Sequence, residues 1–148
     1  MINFINIVTG DFFSNNLVVR PNEEYESIVK KAQGIDLVEE EVNNYLKIFF
    51  PILLIENMEF SCRLGYNIDK KLDSIVLQKV ESQSHNWESW SKRTEQEIKE
   101  FHDSFLIKNI GEGYSHTNMG ILYKFTWGTV ESIYSQQSAN SYIVVRYN

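Results

Sequence analysis

Few residues in this 148-residue chain are of a type that does chemistry: three histidines, one cysteine and two acidic runs. His85, His102 and His116 form neither an HxxxH nor an HExxH pattern, and none has a cysteine at ligand spacing. No metal or other cofactor is expected. His102 adjoins Asp103, but adjacent residues on a helix point in different directions. His85 stands three residues before Glu88, at a predicted helix start, where an imidazole reads as a surface group. Cys62 lies in "MEFSCRLGY", sharing one face with Met58, Phe60, Leu64 and Tyr66, which makes it a small buried hydrophobe. Triads assemble across folds, so spacing alone leaves a Cys62–His–Asp arrangement open, but no local motif supports one. There is no GxSxG and no phosphate loop with its lysine, and "GEG" at 111–113 is too short to cradle a nucleotide. The chain reads as a non-enzyme.

The acidic runs are "NEEYE" at 22–26 and "VEEE" at 38–41. General acid–base work needs a carboxyl whose pKa is raised by apolar or like-charged surroundings. The first run is explained more simply by a helix start, where the dipole favours acids. The second places three like charges in succession. They must be solvated or answered by a cation, and that cation can belong to a partner.

The net charge is −6, unevenly placed: residues 1–74 hold 12 acidic and 7 basic side chains, residues 75–148 hold 8 and 7. Such a surface repels phosphate backbones, which argues against direct nucleic-acid binding. It suits a basic protein partner and would speed encounter with one, although mild acidity also serves solubility alone. One cysteine excludes a disulfide framework. The opening "MINFINIVTGDFF" lacks a basic leader and a small-residue cleavage site, and the longest apolar run, "IFFPILLI" at 48–55, is too short to cross a membrane. A soluble cytoplasmic protein with no membrane partner is expected.

The elements that must position these residues follow from period and punctuation. Residues 2–8 alternate loosely and predict a first strand; 17–21 predict a short extended piece ended by Pro21. In "NEEYESIVKKAQG" (22–34), Asn22 is a candidate N-cap, Glu23, Glu24 and Glu26 occupy the first turn, and Tyr25, Ile28, Val29 and Ala32 form one stripe. "DLVEEEVNNYL" (36–46) can be read as helix or strand; the recurrence of Leu37, Val38, Val42, Tyr45 and Leu46 favours helix. "KIFFPILLI" predicts a buried strand interrupted at Pro51, and 58–66 and 74–80 predict a strand pair. A long helix is predicted from near Asn86 to just before Gly111, its stripe being Trp87, Trp90, Thr94, Ile98, Phe101 and Phe105. Ile121, Tyr123, Phe125 and Trp127 alternate, with Gly128 as a bulge or bend, and a closing hairpin turns through "SQQSAN". Helices precede groups of strands rather than alternating with single ones. This predicts one α+β domain over 1–148: a twisted antiparallel sheet with two or three helices on one face, the order helix-then-strands occurring twice.

The closing segment "YKFTWGTVESIYSQQSANSYIVVRY" resembles the C-terminal hairpin of small bacterial immunity-type proteins, the cytoplasmic antidotes of contact-dependent or polymorphic toxin systems. The matching positions are Phe125, Trp127, Gly128, Ser132, Tyr134 and Tyr147, in a segment that covers about a sixth of the chain. The resemblance implies binding and neutralisation of a cognate toxin domain, alone or within a larger toxin complex. A nuclease with a basic substrate groove would be the electrostatic match. No catalytic residue is carried over with it. Expected partner-binding residues are Glu23, Glu24, Glu39, Glu40 and Glu41, with the tyrosines Tyr114 and Tyr134 as secondary candidates. Two other classes remain: a secretion chaperone, and a small-ligand-binding α+β domain with an aromatic pocket beneath the long helix.

Overall fold

The computed structural model describes residues 3–80, 92–135 and 140–148. Among these are two helices and ten strands, and the strands form two antiparallel sheets. A short hairpin, β1 (Phe12–Phe13) and β2 (Val18–Val19), opens the fold. Helix α1 (Tyr25–Lys31) precedes β3 (Val38–Val42), β4 (Tyr45–Ile55), β5 (Met58–Tyr66) and β6 (Leu72–Lys79). Helix α2 (Lys92–Ile110) precedes β7 (Ser115–His116), β8 (Gly120–Phe125), β9 (Gly128–Ser135) and β10 (Asn140–Tyr147). The large sheet runs β3-β4-β5-β6-β10-β9-β8-β7. It is two four-strand meanders, each introduced by a helix, joined through their last strands. The helix-then-strands order seen twice in the sequence is therefore a spatial division as well.

One face of this sheet is the core. Ile48 and Phe50 of β4, Phe60, Cys62 and Leu64 of β5, Ile75 and Leu77 of β6, and Ile143 and Val145 of β10 lie side by side in register and are fully or almost fully buried. A buried phenylalanine such as Phe50 contributes about 2–3 kcal/mol relative to exposure. Both helices pack on this face: the Tyr25 ring lies 5.0 Å from Tyr66, and Phe105 lies 5.3 Å from Phe60. The stripe on α2 continues as predicted through Ile98, Phe101 and Phe105, while Trp87 and Trp90 lie outside the described residues.

Several expectations need correction. The strand expected at 2–8 is not formed by the described residues 3–8, which beyond one bridge from Ile5 to Phe12 are turns held by the Asn6 side chain. Asn22 is not the cap of α1. Its φ is +61°, and Glu24, in extended conformation, occupies the N-cap. The segment 36–46 is not a helix. It is β3, a turn at Asn43 and Asn44, and the start of β4. Both asparagines have positive φ, 53° and 71°, as a two-residue type I′ turn requires, and asparagine tolerates that region better than most residues. Glu56 and Asn57, at 52° and 64°, do the same between β4 and β5. Gly128 does not bend a continuing strand. The chain reverses at Thr126 and Trp127, and Gly128 opens the return strand opposite Phe125. Pro51 behaves as expected: the β4–β5 register shifts between Phe50 and Leu53.

Candidate functional site

Two of the groups that the sequence offers for catalysis, Cys62 and His102, are occupied structurally. Burial raises the Cys62 thiol pKa well above its ordinary value, so no thiolate is available near neutral pH. His102 is wholly buried where β6 and β10 stop pairing, just beyond Leu77 and Ile143. Its Nε2 accepts the Lys79 amide at 3.1 Å, so Nδ1 carries the proton and donates to Ser141 Oγ at 3.0 Å. The side chain of Gln78 donates to the Ser141 carbonyl at 3.2 Å. The imidazole thus replaces the missing ladder bonds at the joint between the two meanders. Burial pulls its pKa down to about 4, as do the charges of Lys99 and Lys79, while Asp103 pulls the other way. This is a neutral structural histidine whose Nε2 is already taken. His85 lies outside the described residues. Among the described residues no cluster of three or more His, Cys, Asp or Glu is placed to hold a metal, and no helix is long and apolar enough to cross a membrane.

The closing aromatic hairpin also has a structural use. Phe125 stacks on Trp127 at 4.9 Å, and Trp127 leans on Tyr147 at 5.6 Å. Trp127 Nε1 donates to the Ile7 carbonyl at 2.9 Å, and the Tyr147 hydroxyl donates to the Gly10 carbonyl at 2.8 Å. These rings fasten the N-terminal loop to the end of the sheet.

The seven expected partner-binding residues separate into three groups. Glu23 is used within α1: Lys31 Nζ lies 2.6 Å from Oε2, and Ser27 Oγ and the Arg20 amide also donate to it. Burial pulls its carboxyl pKa up, but those bonds and the Lys31 charge outweigh burial and leave it lowered. Glu24 is exposed beside it. Glu39, Glu40 and Glu41 all lie on β3, the terminal strand of the sheet. Tyr114 and Tyr134 belong to the other meander. Tyr114 packs edge-on against Tyr123 and His116, and Tyr134 is half-buried on β9. Tyr134, on β9, is five strands from β3, and Tyr114 precedes β7 at the far end of the sheet, so the tyrosines and the glutamates do not form one site.

On β3 the alternation divides the acids. Glu39 and Glu41 point to the core side, where Glu39 accepts a hydrogen bond from Tyr25 Oη. Glu40 points to the opposite, outer face, opposite Lys47 and 3.8 Å from Arg63 Nε. Arg63 also lies over the Phe49 ring at 4.9 Å. Around Glu40 on that outer face, Val38 is 51%, Val42 50% and Tyr45 47% exposed. The segment therefore presents a strand edge with acids on one side and a small apolar patch on the other. A helical period through these residues scatters the patch around the axis, which hides it in the sequence. The signal was Asn43-Asn44 between two alternating runs, a hairpin pattern.

A second concave feature is a cleft of about 750 Å³ between α2 and the β7–β8 turn, lined by Lys99, Asp103, His116 and Tyr134 among others. Lys99 Nζ lies 2.6 Å from Asp103 Oδ2, which neutralises most of its charge. No family model, no curated protein and no solved structure matches the chain.

Proposed function

We propose that this chain is an immunity-type protein, a cytoplasmic antidote that binds a basic toxin domain and blocks it without catalysis of its own. The observation that carries this reading is β3: three consecutive glutamates on the terminal strand of an eight-stranded sheet, beside exposed Val38, Val42 and Tyr45. Acids steer a basic partner to the edge, and apolar side chains next to them supply the short-range contact. Burial of Cys62 and the bonding of His102 are in keeping with a role that needs no nucleophile or base. A nuclease domain is the favoured partner because its substrate groove must be basic.

Co-expression with the neighbouring gene, followed by size-exclusion chromatography, tests this. The expected result is a one-to-one complex with a basic domain. Its association should slow about tenfold or more when Glu39, Glu40 and Glu41 are all changed to Lys, with a much weaker salt dependence. Failure to co-elute at low salt rejects the reading. The cleft at Lys99 and Asp103 favours the alternative of a small-ligand domain, and a ligand screen perturbing His116 and Tyr134 would then be the next step.

A further inference from the structure

The two flanks of the β3–β4 side of the sheet are treated differently. Past the end of β3, the exposed edge of β4 is closed: Pro51 has no N–H to offer, and the Leu54 carbonyl accepts the Asn15 amide at 2.8 Å. The edge of β3 has no such cover. In a two-residue hairpin the residues flanking the turn, here Val42 and Tyr45, exchange both ladder bonds, and bonded pairs then alternate along the strands. Val38, Glu40 and Val42 therefore bond to β4, and the N–H and C=O groups of Glu39 and Glu41 point away from the sheet. Among the described residues no other backbone group bonds to these four. Unpaired main-chain groups along an edge are a template for another strand, and the acids of β3 restrict which strand can add there.

From this edge we infer that β3 is an acceptor for strand addition, and that its occupant is an extended basic segment of the partner protein with the pattern apolar–basic–any–basic–apolar. This inference rests on the reading above that the acidic hairpin meets a basic protein. The two basic positions fall opposite Glu39 and Glu41, where they exchange backbone bonds with β3 and answer its acids on the core side. The apolar positions fall opposite Val38 and Val42 on the outer face. The central position faces Glu40, which already has Lys47 opposite it and Arg63 nearby, so nothing is demanded there. A second copy of this chain is a poor occupant. Antiparallel pairing of two β3 strands about Glu40 sets Glu40 against Glu40 and Glu39 against Glu41, and like charges directly opposite each other are destabilising. Main-chain bonds would supply affinity and the alternating side chains specificity.

The test uses the whole protein and a nine-residue peptide with valine–lysine–threonine–lysine–valine at its centre, beside a twin carrying glutamate at both lysine positions. Amide exchange is followed by NMR at low salt. In the free protein the Glu39 and Glu41 amides should exchange faster than that of Glu40. The lysine peptide should bind saturably and slow those two by about tenfold or more, and the glutamate twin should do neither. Glu41→Pro removes the outward N–H and the charge, whereas Glu41→Gln removes the charge alone. Strand addition predicts that the proline variant binds the peptide at least several-fold more weakly than the glutamine variant. If the two bind equally and exchange is unchanged, strand addition is wrong, although the acidic-surface reading survives. No peptide binding, alongside a partner domain that co-elutes normally, also overturns strand addition alone. Loss of co-elution removes the functional reading itself. Free-state exchange at Glu39 and Glu41 stays informative if the proline variant does not fold.

Discussion

The two meanders share an order of elements, a helix followed by four antiparallel strands, and they meet through β6 and β10, yet their outer ends differ. The first ends in β3, five residues long, acidic, with its main chain unoccupied at Glu39 and Glu41. The second ends in β7, only Ser115 and His116, beside a turn closed by Thr117, whose hydroxyl accepts the Gly120 amide at 3.0 Å. A two-residue edge offers too little main chain to recruit a strand. The second meander carries the aromatic chain from Tyr114 through Tyr123, Phe125 and Trp127 to Tyr147, which also fastens the N-terminal loop. The difference lies at the ends: the second meander is fastened to the N-terminal loop by its aromatic rings, whereas the first, which supplies much of the buried face, leaves an edge on display.

The largest expected effect tests the fastened half. A side chain at Gly128 would drive its Cβ into the Arg146 carbonyl, a backbone atom of the adjoining strand, at φ +155°. Gly128→Ala should cost about 3 kcal/mol or more, since β9 and β10 must separate to admit it. Gly34, in the displaying half, also has positive φ (+88°) but open space around it, so Gly34→Ala should cost only about 1 kcal/mol. Urea midpoints measure both. Equal losses would break the division between the halves.

A second experiment addresses the joint between them. Unfolded histidine titrates near 6.5, but buried His102 titrates near 4. Between these values the unfolded chain binds more protons, so stability falls as pH drops through that window. It is insensitive to this group above and below the window. The full loss is on the order of 3 kcal/mol. Urea titrations from pH 7 to 4 should show this slope, and His102→Gln should flatten its part of it. Exchange at the Lys79 amide should rise over the same range if the joint opens there. An unchanged slope in the variant would mean that another group, such as Glu23, governs acid stability.

How much of this was legible in the sequence depended on how local each signal was. The strands at 58–66 and 74–80, the part of the α2 stripe from Ile98 to Phe105 and the closing hairpin all carry an unbroken period with clear punctuation, and they stand close to where the period places them. The region 36–46 does not. Leu37, Val38, Val42, Tyr45 and Leu46 fit a helical stripe, and only the turn at Asn43 and Asn44 breaks the ambiguity. Edge strands are hard to read because one side lacks a neighbour, and acids that would weaken a central strand are tolerated there. The use of His102 was out of reach for a different reason. Its partners, Lys79 and Ser141, come from opposite halves of the chain, and nothing in the neighbouring residues announces a break in pairing between β6 and β10.

The smallest expected effect on stability sharpens the comparison most. Glu41 is exposed, sits two residues from Glu39 on the same side of β3, and makes no side-chain bond or ion pair among the described residues. Its charge contributes nothing to the fold except repulsion along the strand. Glu41→Gln should therefore leave the urea midpoint within about 0.5 kcal/mol of the parent, and any shift should be upward. Glu39→Gln should lose slightly more, because the carboxylate accepts the Tyr25 hydroxyl and thereby ties α1 to the edge. If β3 exists to display charge, binding to the partner domain should weaken in Glu41→Gln while stability does not. A clear loss of stability would instead make Glu41 part of the scaffold, and the open edge would have to be explained without it.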